Sequence, residues 1–68
     1  MTPVLPPITE REEEVLRLTA QGLSRQQIGR RLCISAWTVK RDADKARKKL
    51  GAASLVHAVA LYMAGRVA

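Results

Sequence analysis

ISAWTVKRDADKARKKL, residues 34–50, decides how this chain is read. Advancing about 100° per residue, Val39, Ala43, Ala46 and Leu50 fall in one narrow apolar stripe. Six of the seventeen residues are Lys or Arg, and the chain's only Trp sits among them with two Asp. With Val39 set toward a core, Trp37 points about 160° away, Asp44 about 140°, Lys48 about 180° and Arg41 about 160° on the other side. Lys40 lies on the flank at about 100°. The segment is therefore an amphipathic helix whose outer face is basic but not uniformly so. A helix that only attracted polyanions would gain nothing from Trp37, Asp42 or Asp44. A helix that discriminates among them could use such residues.

Outward from this segment, the composition sets the frame. Sixty-eight residues make one domain, near the size floor for folding alone. With no Phe, one Trp and one Tyr, the core must be aliphatic. One Cys excludes an internal disulfide and a cysteine-cluster metal site, and it fits a reducing cytoplasm. No charged start followed by an apolar core marks a secretory signal, and no apolar run nears membrane-spanning length. The net charge of +6 is segregated. Residues 1–16 hold Arg11 against four Glu, a net of −3, and residues 17–68 hold eleven bases against Asp42 and Asp44, a net of +9. That asymmetry predicts a basic face and a polyanionic partner.

Caps and periods predict an all-α chain of four helices behind a Pro-rich extended arm over 1–8, with the folded domain over 9–66. Thr9 and Glu12 form a capping box, and the four Glu suit the positive end of the first helix dipole, a structural rather than catalytic use. Val15, Leu16 and Thr19 face inward, and Gly22 ends the helix. Ser24 and Gln27 cap the second helix, Leu23 staples onto Ile28, and Ile28 and Leu32 share a face. Gly29 costs about 1 kcal/mol against Ala in a helix interior, which predicts close approach of another helix. The second helix ends near Leu32, with Cys33 in the turn. Ser35 caps the third, which runs to about Lys49 and stops at Gly51. Ser54 caps the fourth, which runs to about Ala64. Its stripe Leu55, Ala58, Val59, Tyr62 faces the core. A second stripe, Val56, Ala60 and Met63, predicts another neighbour, a second copy of the chain, with Val59 completing the interface. His57 reads as surface or interface, not a metal ligand.

A short capped helix, a tight turn and a longer basic helix make the helix-turn-helix pattern. The residues sharpen it. Thr9-x-Arg11-Glu12-x-x-Val15-Leu16 is followed by Gln21-Gly22-Leu23-Ser24 and Ile28, then by Leu32-x-Ile34-Ser35 and Thr38-Val39-Lys40. Lys49-Leu50-Gly51 and Ala58-Val59 complete the series. In this order and spacing, over about residues 8–63, the chain closely resembles the LuxR-type helix-turn-helix domain of the GerE or NarL class. The resemblance implies a four-helix domain that binds duplex DNA with helix three in the major groove and commonly dimerises through helix four. It implies a bacterial or phage-encoded, cytoplasmic transcription regulator, with no cofactor. No sensory or receiver segment accompanies the domain, so the chain reads as a stand-alone version or a fragment. Asp42 replaces a usual His, Ala46 a large aliphatic residue, Cys33 a frequent Gly, Leu55 a frequent Arg and Gly29 a usual Ala. Cys33 is thereby expected at positive φ.

The expected roles follow. Trp37, Lys40, Arg41 and Asp44 are candidates for base contact. Arg41 forks onto guanine O6 and N7, Lys40 reaches guanine or phosphate, and Asp44 accepts from cytosine N4 while repelling phosphate. Trp37 offers a thymine methyl an apolar surface, or a phosphate its indole N–H. Ser24, Arg25, Gln26, Thr38, Lys45, Lys48 and Lys49 are candidates for phosphate contact, with Arg47 either a phosphate binder or solvated. Asp44 also pairs with Lys40 or Lys48 along the helix, and Asp42 with Lys45 or an Arg of helix two. Trp37 alternatively folds back over the turn as a satellite of the core. Val56, Val59, Ala60 and Met63 form the dimer interface. A competing reading is a protein-interaction module that docks on RNA polymerase or another regulator, and a third is a domain resembling region 4 of a sigma factor. No nucleophile–base pair, carboxylate dyad or ligand cluster suggests an enzyme.

Overall fold

Four side-chain caps start the four helices of the chain, whose computed structural model describes residues 8–67. α1 spans Glu10–Ala20, α2 Arg25–Leu32, α3 Ala36–Lys49 and α4 Leu55–Val67. Thr9 Oγ1 accepts the Glu12 amide at 3.1 Å, and Glu12 Oε1 accepts the Thr9 amide at 3.0 Å. Ser24 and Gln27 exchange the same two bonds at the start of α2. Each pair satisfies two amides that a helix end leaves without partners. Ser35 Oγ accepts the Thr38 amide, and Ser54 Oγ accepts the His57 amide, both at 3.1 Å. His57 completes the last cap by accepting the Ala53 amide on Nδ1 at 3.2 Å. Its role is thus local, and α4 runs three residues beyond the expected Ala64. Apart from Ile8, the Pro-rich arm lies outside the described residues.

Two apolar clusters hold the helices. Val15, Leu18, Ile28, Val39 and Ala43 form the first, with Leu23, Leu32 and Ile34 against it. Leu16, Ala46, Ala52 and Ala58 form the second, with Ile8, Leu50, Val59 and Tyr62 against it. Leu55 touches both clusters and so serves the core. Ala46 is fully buried, its small side chain enclosed with Ala52 and Ala58. α1 and α3 each pack on all three other helices, whereas among the described residues α2 and α4 do not meet. Full burial of side chains such as Leu16, Ile28, Val15 and Val39 stabilises the fold by about 1.5–3 kcal/mol each.

Ion pairs fasten α3 to α1. Arg11 Nε lies 2.9 Å from Asp42 Oδ2, close enough to pair but without the alignment of a hydrogen bond. The expected partners of Asp42, Lys45 or an α2 Arg, are replaced because Asp42 is buried on the side of α3 that meets α1. Lys49 Nζ donates to Glu12 Oε1 at 2.7 Å. Burial pushes the Glu12 carboxyl up. The bonds from Lys49 and the Thr9 amide, the Lys49 charge and the Thr9 hydroxyl together outweigh burial and hold it below the ordinary glutamate range. Elsewhere Glu14 pairs with Arg17, and the Tyr62 hydroxyl donates to Glu13 across α1 and α4.

The α2–α3 turn fixes the angle at which α3 leaves. Cys33 occupies the left-handed region at φ 61°, as expected from its place in the motif. The Cys33 amide and the Ile34 amide both return to Gly29 O, the latter at 2.9 Å. A Cβ on Gly29 would lie 2.6 Å from Ile34 O. Gly29 therefore admits the backbone of the turn and, 3.4 Å from the same Cβ position, the Ala36 amide that begins α3, so the close approach expected of another helix is made at its entry.

These contacts make three predictions. Cys33→Gly stabilises the chain by about 0.5–1 kcal/mol, because relief of a left-handed backbone exceeds the entropy that Gly adds to the unfolded chain. Gly29→Ala destabilises it although Ala is the better helix former. Urea unfolding checks both, and a gain from Gly29→Ala contradicts the clash. Glu12→Gln costs about 1–2 kcal/mol at pH 7. The folded pKa of Glu12 lies below its unfolded value of about 4.3, so its contribution is complete above that value and is lost as pH falls through the folded one. The gap between wild type and Glu12→Gln should narrow on acidification, and a gap of constant size contradicts the pairing.

Candidate nucleic-acid interface

Trp37, Lys40, Arg41 and Asp44 follow the spacing i, i+3, i+4, i+7, which places them on one face of a helix. With Val39, Ala43 and Ala46 committed to the core, that face is turned outward. Trp37 is 67% exposed, so it does not fold back over the turn. Its indole carries the Arg41 guanidinium instead, with the guanidinium carbon 5.4 Å from the ring centroid. One column over, Lys40 Nζ lies 3.5 Å from Asp44 Oδ2. The lengthwise pairing expected of Asp44 is thus made with Lys40. All four residues line one shallow groove of about 180 Å³.

A second groove of about 460 Å³ adjoins it. Ser24, Arg25 and Gln26 at the start of α2 line one side, and Ala36, Trp37 and Lys40 at the start of α3 line the other. Trp37 and Lys40 belong to both grooves, so the two form a continuous surface. The caps determine this arrangement. Ser24 and Ser35 start two helices a tight turn apart, and both helix beginnings border one groove. The N-terminus of α2 presents amides and a partial positive charge where an anion would sit.

The remaining candidates divide. Lys45 and Lys48 are exposed, and Thr38 is half-buried with its hydroxyl shared with Ser35 Oγ at 2.9 Å. Lys49 is held against Glu12 on the α1 side. Arg47 is likewise engaged in the fold, its Nη1 donating to Ala52 O at 3.1 Å beyond the end of α3. On α4, Val56 is 79% exposed, and Ala60 and Met63 are also exposed. Val59 is half-buried at the seam, packed on the Leu16–Ala46 cluster. The Val56–Ala60–Met63 stripe therefore does not pack internally. From the sequence Trp37 and Arg41 are two separate candidate contacts. Their i, i+4 spacing, favourable for a cation over a ring, was the available signal of the stack. No group of three potential metal ligands occurs among the described residues.

Comparison with known proteins gives the family of the chain. Residues 6–62 match the family described as GerE, bacterial regulatory proteins, luxR family. Over 54 residues the chain is 43% identical to the methanol utilization control regulatory protein MoxX of Paracoccus denitrificans, covering 79% of this chain and 24% of that protein. Over 60 residues it is 38% identical to the transcriptional activator protein BjaR1 of Bradyrhizobium diazoefficiens, covering 88% of this chain and 25% of that protein. The chain thus spans about a quarter of the length of these curated relatives.

Proposed function

The chain belongs to the luxR family of bacterial regulatory proteins, and from that premise we propose that it is a DNA-binding transcriptional regulator that reads the major groove with α3 and acts as a homodimer. The family is a regulatory one, and the chain is not an enzyme. The observation that carries the reading is the exposed face of α3, where an indole, two cations and a carboxylate stand together on a helix fixed from behind.

Each residue has a task in this reading. Arg41 forks onto guanine O6 and N7, and Lys40 reaches a neighbouring base or phosphate. Asp44 accepts from cytosine N4 and penalises registers that bring it to a phosphate. Trp37 supplies apolar contact. Ser24, Arg25 and Gln26 anchor one phosphate run at the start of α2, with Thr38, Lys45 and Lys48 contributing along α3. Lys49 is left out of this set because its ammonium is engaged with Glu12. Affinity then comes mainly from the phosphate contacts and specificity from the base contacts.

The dimer rests on Val56, Ala60 and Met63, which leave α4 with an apolar face uncovered by its own chain, and Val59 extends that face toward the core. A dimer doubles the contact with DNA and so raises affinity without new contacts per subunit. The same exposed stripe supports a second reading, docking of RNA polymerase or another regulator on α4. The two readings differ in the stoichiometry they require.

Binding to duplex DNA should weaken linearly in log–log terms as salt rises, by about 0.9 per phosphate neutralised. Lys48→Ala should reduce that slope by about 1 and weaken all sequences alike. A slope near zero contradicts phosphate anchoring. Sedimentation of Met63→Lys should give half the wild-type mass, and an unchanged mass contradicts α4 as the interface.

A further inference from the structure

Resting on the reading of α3 as the base-contacting helix, we infer that Trp37 and Arg41 form a single reading unit. In it Trp37 is a positioning residue for the guanidinium, and the pair recognises a guanine and a thymine no more than two base pairs apart. The starting point is geometric. Arg41 follows Trp37 by one helical turn, and its guanidinium carbon stands 5.4 Å from the ring centroid. The indole is 67% exposed and lines both grooves of the outer surface, so it is neither a core residue nor covered by its own chain.

An unsupported Arg on a helix surface has many rotamers and turns readily toward the nearest phosphate. That freedom gives a basic helix affinity without selectivity. The aromatic face attracts the guanidinium and limits that freedom. A guanidinium kept over the ring is pre-organised for two parallel bonds to guanine O6 and N7. Lys40, the other cation of the face, is restrained in the same way by Asp44 at 3.5 Å. Both cations are thus held along the helix.

The ring has a second use. The thymine methyl is an apolar landmark of the major groove, and an exposed indole offers it a matching surface. Stacked bases repeat every 3.4 Å or so along a strand. The separation of 5.4 Å between guanidinium and ring is less than two such steps, so the bases they touch lie no more than two base pairs apart. Removing the ring should relax the choice of base at two positions: the thymine it touches and the guanine read by Arg41. Two independent contacts would behave otherwise, since loss of Trp37 would relax the thymine position alone.

The test uses the full 68-residue chain. Preferred sites are selected from random duplexes with wild type, Trp37→Ala, Trp37→Phe and Arg41→Lys. Wild type should select both a guanine and a thymine within two base pairs. Trp37→Ala should lose discrimination at both positions, by about ten-fold at the guanine, with a salt dependence at least as steep as that of wild type because the freed Arg41 turns to phosphate. Trp37→Phe should restore the guanine preference in large part, and Arg41→Lys should lose it. Replacing the selected thymine with deoxyuridine removes only the methyl. It should weaken wild type several-fold and leave Trp37→Ala unaffected. In the free protein, Arg41→Gln should change the emission of Trp37, the chain's one Trp, without DNA present. The unit is overturned if Trp37→Ala keeps the guanine preference intact, or if deoxyuridine weakens both proteins equally. If wild type selects no sequence at all, base reading by α3 falls and the unit falls with it. That result is distinct from successful selection that ignores Trp37. Because Trp37 is exposed, its variants should retain the wild-type circular dichroism.

Discussion

Everything in this structure depends on α3 being gripped along one side and left bare along the other. Val39, Ala43 and Ala46 are buried against the other helices, and the face carrying Trp37, Lys40, Arg41 and Asp44 is left outward. The apolar contacts dominate the grip, since exposed ion pairs typically contribute no more than about 1 kcal/mol. The ion pairs do something different. Arg11 with Asp42 and Lys49 with Glu12 tie two points of α3 to α1 and so constrain its axial position. Glu12 and Asp42 matter most among these four groups because both carboxylates are buried, and a buried charge that loses its partner is costly.

The segregated charge now has a physical division of labour. The acids of α1 sit at its start, where they complement the dipole, and Glu12 doubles as cap and ion-pair partner. Of the cations on α3, Arg47 and Lys49 are drawn into the fold, one by a carbonyl and one by a carboxylate. Lys45 and Lys48 are exposed, while Lys40 and Arg41 are restrained by neighbours on their own helix. A net charge alone would have treated all six as equivalent. Their partners separate fold, affinity and selectivity.

Local physics was legible in the sequence. Each helix start is a Ser or Thr whose hydroxyl accepts an amide three residues on, so Thr9, Ser24, Ser35 and Ser54 marked the boundaries. The inward stripe of α3 followed from its period, as did the outward position of the candidate face. The left-handed Cys33 followed from the place of a frequent Gly in the motif. What was not legible depends on how helices meet. Arg11 reaches Asp42 across 31 positions, and no spacing rule along one helix points to it. Gly29 was recognised as a close approach, but only the closed turn shows that the neighbour is Ile34 O. Leu18 joins the core although the inward stripe proposed for α1 omitted it, because α1 is packed on three sides. At the site, the Trp37–Arg41 stack was within reach of the i, i+4 rule, whereas the groove shared with Ser24, Arg25 and Gln26 needed the angle between α2 and α3.

The most direct test of the bare face is an amide chemical-shift map of the isotope-labelled chain titrated with its preferred duplex. The account predicts the largest changes at Trp37, Lys40, Arg41, Asp44 and Lys48, with a second group at Ser24, Arg25 and Gln26. Changes concentrated at Val56, Ala60 and Met63, with α3 unmoved, would contradict it.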